Sequence, residues 1–186
     1  MINFPKSITN GDIELIKQEP TFENARRVFG LVDKNRAHLD KWMPWVGRTL
    51  RAEDSFGWLY KVFNEADNGD YSIFFKGEVV GASGVVKYSE QHKSVEIGYW
   101  LSADATGQGI MTRVVKMLEN LLFKELGFNK IKIEMDIENP ASEAVAKRLN
   151  YTHEGTRRDV VFRNGEFRTH HLYSKLRREW DAEGRK

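Results

Sequence analysis

Between Ala105 and Thr112 the chain reads Ala-Thr-Gly-Gln-Gly-Ile-Met-Thr, so that Gly107 and Gly109 stand at the mouth of an apolar helical pattern. Glycine lets backbone N–H groups come close to a ligand, and a helix starting there adds partial positive charge, so this turn can cradle a phosphate or pyrophosphate. The same two glycines also suit a plain tight turn into a helix, and taken alone that simpler reading is favoured. A dinucleotide fingerprint would want a third glycine where Thr112 stands, and no Walker pattern occurs anywhere. Two further runs flank the turn: Glu96-Ile97-Gly98-Tyr99-Trp100-Leu101 before it, and Asn139-Pro140-Ala141-Ser142 after the next strand-like segment.

Other chemistries drop out on composition. The chain has no cysteine, which excludes disulfides, thiolate metal sites and an enzyme thiol nucleophile. His38, His92, His153, His170 and His171 show none of the metal-ligand spacings, so no metal is expected. His170 and His171 should point to opposite faces of a strand. With Lys+Arg 29 against Asp+Glu 27, the net charge of +2 is too small to imply wholesale nucleic-acid coating. Arg157, Arg158, Arg163, Lys175, Arg177 and Arg178 form a basic tail that reads as a solvated surface, or as a patch for an acidic peptide or ribosomal RNA. Neither a secretory signal nor a membrane-spanning run is evident, so a cytoplasmic protein is expected.

The elements that must position these residues follow from periodicity. At 186 residues, 40% hydrophobic and 12% aromatic, one compact, ordered domain over 1–186 is expected. Alternation predicts a first strand over 12–18, and Thr21 caps a helix through Phe22, Ala25, Val28, Phe29 and Val32. Leu39, Trp42, Met43 and Trp45, broken by Pro44, form a short helix running into a structured loop. A second helix carries Phe56, Leu59, Tyr60 and Phe63 on one side and ends before a turn at Asp67, Asn68, Gly69 and Asp70. A meander follows: Tyr71 to Phe75, Val79 to Tyr88, and Val95 to Leu101. The helix from Gly109 to Glu125 then reverses the chain into an alternating strand through Ile131, Ile133 and Met135, which makes the Val95 and Ile131 strands parallel. Asn139 to Leu149 is another helix, and Asn164-Gly165 marks a type I′ hairpin in the tail.

These three runs, in this order, resemble the GCN5-related N-acetyltransferase (GNAT) superfamily, and the chain looks most like its RimJ/RimL-type ribosomal-protein N-terminal acetyltransferase branch. The resemblance extends from the early strand to Tyr173. It implies an α+β fold: a mixed, mostly antiparallel sheet whose central parallel strands splay apart, flanked by helices. It further implies that acetyl-CoA binds with its pyrophosphate on the amides of Gly107, Gln108, Gly109, Ile110, Met111 and Thr112, and its pantetheine arm beside Trp100, Leu101 and Ser102. Thr106 stands where the family pattern opens with Gln or Arg, and Gln108 where it often carries Lys or Arg; each lost charge-assisted contact would cost about 1.5–3 kcal/mol unless a residue such as Arg113 compensates.

By the same resemblance Glu96 is the base, acting through a water, and an exposed strand glutamate is the plainer alternative. A backbone N–H near Tyr99 or Trp100 would hold the developing oxyanion. The family's tyrosine acid is missing, because Ala146 occupies its position; Ser142 then contacts the cofactor or donates the proton, with first-turn capping as its other role. Asn139 would start that helix and bond the pantetheine amides. The acceptor implied is a primary amine, a protein N-terminal α-amine of the ribosomal-protein type, with Trp42 and Trp45 over the acceptor site; homodimerisation is a family expectation. Three other readings remain: a small-molecule acceptor such as a polyamine or amino sugar, a non-catalytic acyl-CoA-binding protein, and a nucleic-acid binder, which the near-neutral charge makes the weakest.

Overall fold

A computed structural model describes residues 2–64 and 69–184; the sequence-predicted turn at Asp67 and Asn68 lies outside the described residues. The elements run β1 (Ser7–Asn10), β2 (Ile13–Lys17), α1 (Phe22–Lys34), α2 (Arg36–Leu39), α3 (Ala52–Asn64), β3 (Tyr71–Phe75), β4 (Glu78–Ser89) and β5 (Ser94–Leu101). Then come α4 (Ile110–Glu119), β6 (Lys130–Asp136), α5 (Pro140–Arg148), β7 (Thr152–Arg163), β8 (Glu166–Leu176) and α6 (Arg177–Glu183). The strands hydrogen-bond in the order β1-β2-β3-β4-β5-β6-β8-β7. The expected mixed sheet is present, with β5 and β6 as its parallel pair. That ladder runs from Ser94↔Lys130 to Ile97↔Ile133, whereas the strands themselves continue to Leu101 and Asp136.

The chain packs into two compact units, one of Met1–Gly84 with Tyr99–Ile110, the other of Val85–Gly98 with Met111–Lys186. In the first, Ile13, Leu15, Ala25, Val32, Tyr71 and Ile73 are buried between the N-terminal strands and helices. Thr21 caps α1 as its sequence predicts, accepting the Asn24 N–H through its hydroxyl. Trp45 and Trp100 pack against the buried cluster of Val32, Leu39 and Val46, their rings 6.0 Å apart. On α3 the expectation needs correction: Leu59 is buried, but Tyr60 and Phe63 are exposed, and Phe56 stacks at 4.4 Å on exposed Phe22 instead of entering the core. Gly81 has a specific reason, since a Cβ there would collide with the Trp100 carbonyl oxygen.

In the second unit, Val95, Ile97, Ile131, Ile133 and Met135 of the parallel strands are buried, as are Val114, Val115 and Leu118 of α4 and Leu121 and Leu122 just beyond it. The helix predicted over Gly109 to Glu125 is present but not uniform: α4 ends at Glu119 and Asn120–Glu125 is a π-helical turn, with the Leu126 N–H reaching Leu121 O at 2.9 Å. Asn164 and Gly165 both take positive φ, 51° and 83°, as the predicted type I′ turn demands. The basic tail is not simply solvated. Lys175 is fully buried, its Nζ donating to Glu183 Oε2 at 2.6 Å and Leu149 O at 2.9 Å and standing 3.4 Å from Glu119 Oε1. Arg163 is buried in an ion pair with Asp136 at 2.6 Å. Charge count in the sequence concealed these pairings because Glu119 lies 56 positions from Lys175 and Asp136 lies 27 from Arg163.

Candidate active site

The glycine turn is built by the segment before it. Ser102 N–H donates to Val80 O at 2.8 Å, and residues Ala103–Ala105 form a 3₁₀ turn. Asn35, buried at the end of α1, accepts the Ala103 N–H at 2.9 Å through Oδ1 and donates to Leu31 O at 2.8 Å. The loop is closed by Thr106 Oγ1 to Ala103 O at 2.7 Å and Gln108 Nε2 to Asp104 O at 2.9 Å, so the Gln108 side chain is turned back into the loop. Gly107 and Gly109 have φ of +75° and +74°, a conformation that strains other residues, and a Cβ on either would meet nothing within 4 Å. Among the described residues the backbone N–H groups of Gly107 to Thr112 donate to no protein acceptor. Free amides around open backbone at a helix start fit a pyrophosphate, so the residues present suit acetyl-CoA.

Sequence reasoning missed a cation beside this turn. Arg148, at the end of α5, donates from Nη1 to Thr112 Oγ1 at 3.2 Å, which puts a guanidinium on the first turn of α4. Arg113, named as the compensating residue, is half-buried. Arg148 lies 36 positions from Thr112, and nothing in its own neighbourhood signals the contact.

Glu96 now has a defined face. The register Ile97↔Ile133↔Tyr173 puts Val95 and Ile97 on the side where Tyr173 Oη donates to Glu143 of α5 at 2.7 Å. Glu96 therefore looks to the opposite face. It is 8% exposed, opposite Lys132 on β6, with Lys87 Nζ 3.2 Å from its Oε2. Lys87 is a second residue that sequence reading passed over.

Asn139 behaves as the sequence predicts for a helix start: its Oδ1 accepts the Ser142 N–H at 3.1 Å, and Glu143 N–H reaches its carbonyl at 3.2 Å. Its amide nitrogen makes no hydrogen bond among the described residues. Ser142 is half-buried on the first turn of α5, and Ala146 one turn on is fully buried. Burial, with the Glu143 carboxylate, pushes the Tyr173 phenol up to about 12. Trp100 and Leu101 are half-buried and Ser102 is buried at the end of β5. His170 and His171 do face opposite ways: His170 Nδ1 is 3.2 Å from Glu134 Oε1, while His171 Nδ1 meets Thr156 Oγ1 and His153 Nε2. Among the described residues no group of three or more His, Asp or Glu could hold a metal ion, and no helix is long and apolar enough to cross a membrane.

Residues 16–152 match the family described as acetyltransferase (GNAT) domain. The chain belongs to the GNAT acetyltransferase family. It is an acetyl-CoA-dependent N-acetyltransferase, and the alternative of a non-catalytic binding protein gives way. This GNAT chain is 28% identical over 166 residues, 87% of its length and 90% of the relative's, to YdaF of Bacillus subtilis (strain 168), provisionally classed as a ribosomal N-acetyltransferase. It is 24% identical over 156 residues, covering 82% of this chain and 87% of the other, to the ribosomal-protein-serine acetyltransferase of Escherichia coli (strain K12). Among solved structures it resembles the microcin C7 self-immunity acetyltransferase MccE in complex with acetyl-CoA and AMP, with a TM-score of 0.85, 25% identity, and coverage of 92% of this chain and 97% of that one.

Proposed function

We propose that this GNAT enzyme acetylates the N-terminal α-amine of a protein, of the ribosomal-protein class, as one acetyltransferase domain working in the cytoplasm. The acceptor assignment is carried by similarity over most of the chain to two relatives named for ribosomal substrates. In this reading the amides of Gly107, Gln108, Gly109, Ile110, Met111 and Thr112 hold the pyrophosphate of acetyl-CoA, with Arg148 supplying a cation that the turn itself lacks. Trp100, Leu101 and Ser102 flank the pantetheine arm, and the Asn139 amide donates to it. Acetyl-CoA supplies an activated acyl group.

The chain's own residues manage protons and geometry. Glu96 receives, through a water, the proton that an acceptor ammonium must lose before its nitrogen lone pair can attack the thioester carbonyl carbon. A backbone N–H near Tyr99 or Trp100 stabilises the carbonyl oxygen as charge builds on it. As the C–N bond forms and the C–S bond breaks, the attacking nitrogen gives up its surplus proton, and Ser142 relays a proton to the departing sulfur, regaining its own from that nitrogen. A coenzyme A thiolate is a weak base, so this last step needs little help.

A polyamine acceptor would call for unpaired acidic groups. Glu134, Asp136 and Glu138, at the end of β6, are instead matched with Arg157, Arg163 and Arg168. The test is incubation with acetyl-CoA and a panel of peptides differing in their first residue, beside spermidine, read by mass spectrometry. A gain of one acetyl group on a peptide N-terminus is expected; acetylation of spermidine alone would replace the acceptor assignment. Glu96→Gln should lower turnover by about 10²- to 10⁴-fold while leaving acetyl-CoA binding intact.

A further inference from the structure

We propose that His170, fixed in place by Glu134, is the residue that receives an N–H of the acceptor amine. This rests on the acetyltransferase activity established above and deepens it by assigning an acceptor-binding group. The β6–β8 register pairs Asp136 with His170 and Lys132 with Ser174, and the parallel ladder pairs Lys132 with Glu96. Lys132, Glu134 and Asp136 alternate onto one face, so His170 shares the face of Glu96, away from the side where Tyr173 meets α5. Level with Asp136, His170 also stands at the C-terminal end of a parallel strand, past the last parallel pair Ile97↔Ile133. In open sheets with parallel strands, ligands gather at that end.

The pairing around His170 sets its chemistry. Glu134 Oε2 is held by Arg157 Nη1 at 2.6 Å, and its Oε1 lies 3.2 Å from His170 Nδ1. An ionised carboxylate only accepts hydrogen bonds, so Nδ1 carries the hydrogen and a neutral ring presents a lone pair at Nε2. That Nε2 is shielded from solvent and has no hydrogen-bond partner among the described residues. The neighbouring charged groups are already matched: Asp136 with Arg163 at 2.6 Å, and Glu138 and Glu166 with Arg168 at 3.1 Å and 2.8 Å. A carboxylate-oriented imidazole with one directed, unsatisfied lone pair is suited to an N–H donor. An amine about to attack a carbonyl must keep its own lone pair free while its hydrogens are held, and Nε2, once a side-chain shift uncovers it, can hold one of them.

The first measurement needs no acceptor. In enzyme labelled with ¹⁵N-histidine at pH 8.5, long-range proton–nitrogen correlation should show His170 as the Nδ1–H tautomer, assigned by loss of its signals in His170→Gln. A ring protonated at Nε2 overturns the proposal. The second uses two amine probes, a synthetic peptide with a free N-terminal serine and spermidine, and follows whichever the wild-type enzyme acetylates. His170→Ala should lower kcat/KM for that amine about 10- to 100-fold, the range for one hydrogen bond to a charged or reacting group, while the acetyl-CoA Kd stays within twofold. Glu134→Gln should give a smaller loss with the same selectivity. Unchanged amine kcat/KM, or equal losses for amine and acetyl-CoA, refutes the role. Turnover of spermidine but not peptide sinks the N-terminal acceptor reading and still decides on His170; with neither turned over, the tautomer decides. If His170→Ala fails to fold, His170→Gln and the tautomer carry the test.

Discussion

Removing the Arg148 guanidinium should weaken acetyl-CoA without touching chemistry at the thioester. In the structure Nη1 lies 3.2 Å from Thr112 Oγ1, on the first turn of the helix that follows Gly107 and Gly109. Thr106 and Gln108 bring no cation to the turn, and the Gln108 amide is occupied by Asp104 O at 2.9 Å. A charge-assisted hydrogen bond to phosphate contributes about 1.5–3 kcal/mol. Arg148 is exposed, and solvent screening puts it at the lower end, so Arg148→Ala should raise the acetyl-CoA Kd about tenfold at low salt. Titration calorimetry with acetyl-CoA reads the loss, which should shrink as salt is added. S-acetylpantetheine, which has no pyrophosphate, is the control donor, and its kcat/KM should be unchanged in the variant. Equal losses with both donors, or none with acetyl-CoA, would refute the assignment of Arg148 to the phosphates.

Asn35→Ala should remove the side-chain bonds to the Ala103 N–H and to Leu31 O, each contributing about 0.5–1.5 kcal/mol, and loosen the glycine turn, so that urea midpoint and acetyl-CoA affinity fall together; a stability loss with unaltered Kd would remove Asn35 from the site's support. Lys175→Met should destabilise by about 3–5 kcal/mol, because Glu119 would remain buried opposite no cation, and adding Glu119→Gln should recover much of that; burial already raises the Glu119 pKa against the opposing pull of Lys175. Asp70 gives a pH signature. Burial pushes its carboxyl up to about 7, so between its unfolded value near 3.8 and about 7 the folded state holds the extra proton and stability falls as pH rises through that window. Asp70→Asn should flatten this slope, gaining up to about 4 kcal/mol over wild type above pH 7 in urea unfolding; parallel curves for the two proteins would refute the assignment.

The crossover from β5 through α4 to β6 was legible because both periods are clean, and the Thr21, Asn139 and Asn164-Gly165 signals act within a few residues of themselves. Short β1 escaped notice, since Ser7–Asn10 buries no residue and is specified only by pairing with β2. The short helix α6 was hidden in the basic run, where Glu179, which accepts the Leu176 N–H, is the sole local start signal. At the site, the glycine turn and the helix start at Asn139 could be read from the sequence, because each is local: Gly107 and Gly109 take their own positive φ, and Asn139 caps the helix that follows it. Glu96 could be named but not oriented, since its face depends on the register with Lys132 and, through β6, with β8. Arg148, Lys87 and the Glu134–His170 pair were invisible for one reason: each is defined by a partner on another element, and a linear sequence records no such distance.

The π turn at Asn120–Glu125 makes the length of its helix non-negotiable. Deleting one residue there would restore a regular spiral, but everything downstream would swing by about 100°. Phe123, now buried with its ring 5.6 Å from that of Trp180 on α6, would lose that partner. Insertions and deletions in related chains should therefore spare this segment and collect in the loops on either side, and a one-residue deletion scan would map the boundary.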